Sequence, residues 1–317
     1  MIAALAGEHP RAQRARLATA FAAVYLLWGS TFLAMRFAIQ TIPPVFMASM
    51  RHLVSGTLLM AWSWRRVRRW PGLAEWRDAA LVGVLLLGAN GTVAWSEQYV
   101  PSGTAALLVA TVPLWMVLID WWRPGGLHPG RGVLVGLGLG FAVLVTLVGP
   151  GALVGHGAVN PVGATALLLG SLCWATGSIV AQRQPHPSVP LFTVGMQMVC
   201  GGASLMLVAT LTGQTARFSL AHVSVPSALG WGYLVVFGSL VGFTAYAYLL
   251  RNASAARVAT YAYVNPVIAV FLGWAFAGEV ITARTVAAAA VIVAGVAIIT
   301  VARAGAMPTV AEEGIGD

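Results

Sequence analysis

The side chains able to do chemistry in this chain are few, and several come in matched pairs. Trp28 and Trp174 stand inside long apolar runs, followed by Gly29, Ser30 and Thr31 in one case and by Ala175, Thr176, Gly177 and Ser178 in the other. Tryptophan in a membrane helix ordinarily sits at the water interface. Mid-run rings trailed by hydroxyls therefore read as aromatic walls of a polar path, or equally as packing between helices. Pro113 and Pro266 form a second pair. A proline inside a helix leaves the carbonyl four residues earlier, here that of Val109 or Ala262, without its helical donor. Paired breaks of this kind point to the substrate site of a transporter, although a static kink is the plainer alternative. Thr111, Tyr263 and Asn265 neighbour the breaks and are candidate lining groups. Asn90, Trp95 and Tyr248 extend the set, and aromatics with hydroxyls and an amide suit a small zwitterion with an apolar side chain, or a hydrophobic cation held by ring faces.

Charged groups are scarcer. Arg51 and His52 lie two turns into an apolar run, roughly 10 Å deep at about 1.5 Å per residue. A charge at that depth faces protein or water. Arg51 suits a substrate carboxylate, but the matched position in the second half is the neutral Gln197, which favours a structural role against backbone carbonyls or Glu97. Arg36, near the end of its run, is expected to snorkel. Glu97, Asp120 and Glu279 fall near run ends, so no acid occupies mid-run. Glu97 with His52 is the best candidate pair for a proton site, and facilitated movement or exchange competes on equal terms with proton coupling. The sequence has no phosphate-binding loop, no HExxH and no CxxC, so neither enzyme chemistry nor a metal or cofactor is expected. Cys173 and Cys200 both lie in apolar runs and imply no disulfide framework.

The elements that must hold these residues follow from composition. Hydrophobic residues make up 59 % of 317 and charged residues 9 %, too few to cover a water-soluble surface. All 18 basic residues are arginine, and the net charge is +9. The arginines sit in short clusters between apolar runs, which marks membrane topology and argues against nucleic acid as a partner. Cuts at Pro, Gly and Arg clusters predict ten spans of roughly 20 residues, at about 17–40, 44–64, 76–98, 102–121, 131–149, 159–182, 189–211, 226–250, 256–277 and 283–302. The fold class expected is all-α integral membrane. With the N-terminus inside, fourteen arginines fall on inner segments and only Arg217 and Arg284 on outer ones, so both termini are expected in the cytoplasm. The first 16 residues lack the apolar core of a cleaved secretory signal.

The two halves repeat. At one constant offset Trp28 falls on Trp174, Pro44 on Pro190, Phe46 on Phe192, Met50 on Met196 and Gly56 on Gly202; at a slightly larger one Ala94 falls on Ala247, Pro113 on Pro266 and Arg131 on Arg284. The change of offset fits a longer connector between spans seven and eight. Five spans per half is an odd number, so the second copy inserts upside down, and the site lies between the inverted repeats. Gly132, Gly136 and Gly140 form a close-packing ridge, within the chain or between two copies in a homodimer.

These residues carry a resemblance. Trp28-Gly29-Ser30, Pro113, and the stretch from Ala259 to Glu279 with Asn265-Pro266 and Gly278-Glu279 resemble the EamA repeat, and residues 17–303 look like two copies of it. The chain is thus similar to ten-helix exporters of the drug/metabolite transporter superfamily, within it to the bacterial YedA and YddG branches. One departure is Gly125-Gly126 in the first half, where the second has Gly278-Glu279. The resemblance implies a multi-pass protein of the bacterial inner membrane, exporting a small molecule such as an amino acid by alternating access. A multidrug exporter of lipophilic cations by proton antiport is the alternative. The expected organisation is a cytoplasmic segment at 1–16, a first repeat at 17–150, a linker at 151–158, an inverted second repeat at 159–303 and a cytoplasmic tail at 304–317.

Overall fold

A computed structural model describes residues 10–123, 130–136, 138–139, 159–184, 189–253, 258 and 260–306. These residues form helices and turns, with no strand among them. The helices are α1 (Pro10–Ala38), α2 (Pro44–Ser63), α3 (Leu73–Ser96), α4 (Ser102–Val109), α5 (Val112–Trp122), α6 (Pro161–Arg183), α7 (Pro190–Leu211), α8 (Val225–Tyr233), α9 (Gly242–Asn252), α10 (Tyr261–Ala277) and α11 (Ala283–Ala306). Among the described residues six helices are long and apolar enough to cross a membrane. Their outward faces carry Leu26, Leu81, Leu169, Leu207 and Leu229, all exposed. Such a surface is stable against lipid and not against water. Most of the segment expected at 131–149, the ridge residue Gly140, the 151–158 linker and the chain beyond residue 306 lie outside the described residues.

Local chemistry sets the helix starts. Pro44, Pro161 and Pro190 open their helices, where a missing N–H costs nothing. Asn160 caps α6 by accepting from the N–H groups of Val162 and Gly163. At the start of α3 the Glu75 carboxylate accepts from the Gly72 N–H at 2.6 Å and pairs with Arg69. The connector after α7 folds back on the start of α2: Gln214 Oε1 accepts from the Val45 N–H at 2.9 Å, and the Phe46 and Phe218 rings lie 4.5 Å apart.

The matched helices α2 and α7 form the most extensive helix pair. Glycine permits this. A Cβ on Gly56 would lie 2.8 Å from the carbonyl oxygen of Gly195, and one on Gly195 would lie 2.9 Å from that of Gly56. Around this pair, α1 packs on α8, α9 and α10, while α6 packs on α3, α4 and α5.

Two spans differ from the continuous helices predicted. The stretch 102–122 breaks at Ala110–Thr111, between α4 and α5. Pro113 is therefore the second residue of α5, where its absent N–H is no loss, and not an interior residue. The stretch after α8 winds as a π-helix over Leu234–Val241 before α9 continues it. Wide turns of this kind are concentrated at functional sites.

Candidate functional site

Where these irregular segments meet the middle of α1, the fold encloses a cavity of about 110 Å³. Trp28, Thr31, Phe32 and Met35 form its α1 wall; Arg51 of α2, Asn90 of α3 and Trp174 of α6 face them with Phe243 of α9. The α4–α5 break contributes Val109, Ala110 and Val112, and α10 contributes Tyr261, Ala262, Asn265 and Pro266. Ala262, whose carbonyl loses its helical donor to Pro266, lines the cavity, and so does Val109, the last residue of α4 before the break.

Trp28 is the hub. It is 8 % exposed, and its indole N–H donates to the carbonyl of Gly238 at 3.2 Å. Gly238 belongs to the π-helical segment. Four rings surround Trp28: Tyr246 at 5.0 Å, Tyr261 at 5.2 Å, Phe243 at 5.4 Å and Trp174 at 6.4 Å between centroids. Tyr261 and Trp174 stand edge-on to it, each at 89°, the favoured arrangement for aromatic quadrupoles. The two tryptophans thus wall the cavity and pack the halves together at once.

The polar groups are Arg51, Asn90 and Asn265. Arg51 is 4 % exposed; its Nε donates to Ser239 Oγ at 2.9 Å and its Nη1 to Asn90 Oδ1 at 3.4 Å. Those partners are neither the backbone carbonyls nor the Glu97 expected from sequence. Asn265 donates from its amide to the carbonyls of Tyr261 and Tyr25, 3.2 Å each, leaving its Oδ1 as acceptor. The cavity can therefore offer donors on one side, an acceptor on the other and aromatic faces between.

The remaining candidates lie off this wall. Ser30 Oγ bonds the Leu27 carbonyl and the Tyr233 hydroxyl, facing α8. Thr111 Oγ1 returns to the Leu108 carbonyl and Ser178 Oγ to that of Trp174, each closing its own helical turn. Trp95 packs on Tyr99 at 5.1 Å, and Tyr248 packs against the cluster of Val24, Trp28 and Leu249. Pro113 is half-buried beside the wall, and the side chain of Tyr263 lies outside the described ones. His52 and Glu97 are both fully buried, with no hydrogen-bond partner on either side chain and no bond between them.

Two charged residues near the helix ends do something other than expected. Arg36 donates to the Glu97 carbonyl at 2.7 Å instead of snorkelling to the lipid surface. Gly278, at φ +66°, ends α10 in a left-handed turn. Just beyond it Glu279 accepts from the Ser102 N–H and hydroxyl, each at 2.7 Å, and from the Gly103 N–H at 3.1 Å. A carboxylate there satisfies the unpaired donors of α4 and complements its dipole.

Sequence reasoning missed Tyr261, Phe243, Gly238 and Ser239.

Comparison with known proteins agrees with this picture. The sequence model of the EamA-like transporter family matches two stretches of the chain, residues 17–149 and 161–301. The protein described as the uncharacterized inner membrane transporter YedA of Escherichia coli (strain K12) is 38 % identical over 283 residues, 89 % of each chain. An uncharacterized transporter of Bacillus subtilis (strain 168), YvbV, is 23 % identical over 90 % of this chain and 92 % of its own. One solved crystal structure superposes with a TM-score of 0.62 at 20 % identity, covering 91 % of this chain and 99 % of the other, which shows a shared fold.

Proposed function

The chain belongs to the EamA-like transporter family, within the drug/metabolite transporter superfamily, and from that premise we propose that it exports a small metabolite, an amino acid with an aromatic or apolar side chain, through the cavity at Trp28. The observation that carries this reading is the wall itself: Trp28 and Trp174, from positions matched in the sequence, share one cavity with the α4–α5 break and with Pro266. Aromatic faces with an amide acceptor and a cationic donor suit a zwitterion of modest size.

The working architecture is ten spans in two inverted repeats. The exchange of packing partners supports it. Span one (α1) packs on spans eight and nine, while its counterpart span six (α6) packs on spans three and four, as a two-fold relation between halves requires. The two separate family matches support it as well. Alternating access would rock one half against the other around the cavity, with both termini in the cytoplasm. For the lipophilic-cation alternative a carboxylate in the wall would be needed, and among the described residues the wall has none.

Counterflow into proteoliposomes preloaded with unlabelled amino acid is the test, with and without a pH gradient, alongside one lipophilic cation. Amino-acid counterflow that Trp28→Ala abolishes supports the reading. Movement of the cation alone, driven by the gradient, would overturn it.

A further inference from the structure

We infer that Arg51 is the recognition group for a carboxylate on the cargo, so that the site takes solutes bearing one carboxylate beside an apolar body and rejects their amidated or decarboxylated counterparts. This rests on reading the cavity as the transport site and names the class of solute it selects.

Arg51 is buried, its guanidinium lies on the cavity wall, and the acceptors it has found, Ser239 Oγ and Asn90 Oδ1, are both neutral. A guanidinium carries five N–H donors, so most remain unused. A buried cation is costly unless an anion and hydrogen bonds compensate it.

Four of the described acids are engaged elsewhere. Glu279 caps α4, Asp120 pairs with Arg123, Glu75 with Arg69 and Asp78 with Arg77. Glu97 is buried beside the outer end of α3 and forms no ion pair with Arg51. Glu8, Glu312, Glu313 and Asp317 lie outside the described residues. The described wall therefore has a positive charge and no anion to balance it.

Geometry holds the guanidinium in place. A Cβ on Gly238 would lie 2.9 Å from Thr31 Cγ2 and 3.0 Å from Arg51 Nη2, so glycine is what lets the π-helical turn lie this close to the charged group. A planar fork fixed in this way suits the two oxygens of a carboxylate. The Trp28 ring cluster then receives the apolar side chain, and ring faces with Asn265 Oδ1 receive an ammonium where there is one.

The experiment is competition against counterflow of labelled L-phenylalanine, with L-phenylalanine, 3-phenylpropionate, L-phenylalaninamide and phenethylamine as competitors. Binding of each is read in parallel from intrinsic tryptophan fluorescence. The acids are expected to compete about ten- to a hundredfold better than the amide and the amine, as befits a charge-assisted pair. Arg51→Gln should erase that gap and Arg51→Lys keep part of it. Asn90→Asp supplies Arg51 with an internal anion while leaving the arginine in place, and should shift preference toward the amine even if Arg51→Gln does not fold. Equal competition by acid and amide in the wild type overturns the proposal, as does an unchanged acid preference in Asn90→Asp. Binding of 3-phenylpropionate without any phenylalanine transport would sink the amino-acid reading and uphold the carboxylate assignment.

Discussion

At the scale of single residues, Trp28 has two separable duties: its ring fills an aromatic nest, and its N–H satisfies the Gly238 carbonyl. Trp28→Ala removes both and should lower stability by about 3–5 kcal/mol, read as a fall in Tm in detergent, with counterflow lost. Trp28→Phe retains most of the ring contact and should cost about 1 kcal/mol for the hydrogen bond. Gly242 offers a sharper check, since a Cβ there would lie 2.5 Å from Trp28 Nε1. Gly242→Ala should destabilise by about 1–3 kcal/mol through overpacking, and less so in a Trp28→Phe background, where the clashing nitrogen is gone. Equal Tm losses in the two backgrounds would show that the clash is relieved elsewhere. Trp28 and Trp174 were legible in the sequence because tryptophan away from an interface is unusual. Their partners Tyr261 and Phe243 were not, because in an apolar helix nothing local distinguishes a ring facing a cavity from one facing lipid.

At the scale of elements, the informative features are interruptions. Pro266 lines the cavity and Pro113 stands beside it, but the break in the first half falls at Ala110–Thr111, ahead of Pro113. The proline ring crowds the carbonyl four residues earlier, at Val109, so the helix gives way about a turn ahead of the proline itself. The π-helical segment left no comparable trace, since Leu234–Val241 is a run of apolar residues and small ones that reads as ordinary helix. Besides the packing of Gly103 on Val270, one carboxylate ties the end of α10 to the start of α4. Glu279→Ala leaves three donors at the start of α4 without their acceptor and should cost about 1–3 kcal/mol, with Glu279→Gln in between. Thermal melts of the three proteins check the order, and an unchanged Tm in the alanine variant would remove Glu279 from the list of structural ties. Gly278-Glu279 was visible as a motif; its target was not, because Ser102 is far away in sequence and only the fold brings the two together.

At the scale of the whole molecule, composition alone establishes a lipid-facing surface, and the arginine distribution proposes which side is which. That orientation can be tested at two exposed sites. A cysteine at Leu220, placed in a background without Cys173 and Cys200, should react with an impermeant maleimide in intact cells. One at Trp70 should react only after the membrane is opened. The reverse pattern would invert the assignment. Matched Trp, Pro and Gly positions proposed a correspondence between the halves, whereas the closeness of α2 and α7 needed the structure, because sequence offsets say which residues correspond and not which ones touch.

The π-helical turn also has a rotational meaning. Successive residues of an α-helix are about 100° apart around its axis, so the width of Leu234–Val241 sets the angular phase of everything after it, including Phe243 and Tyr246. Deleting one residue there would leave the sequence of α9 intact yet swing those rings by about a quarter-turn away from Trp28. The aromatic nest is thus timed by a register upstream of it, as a cam is by its shaft.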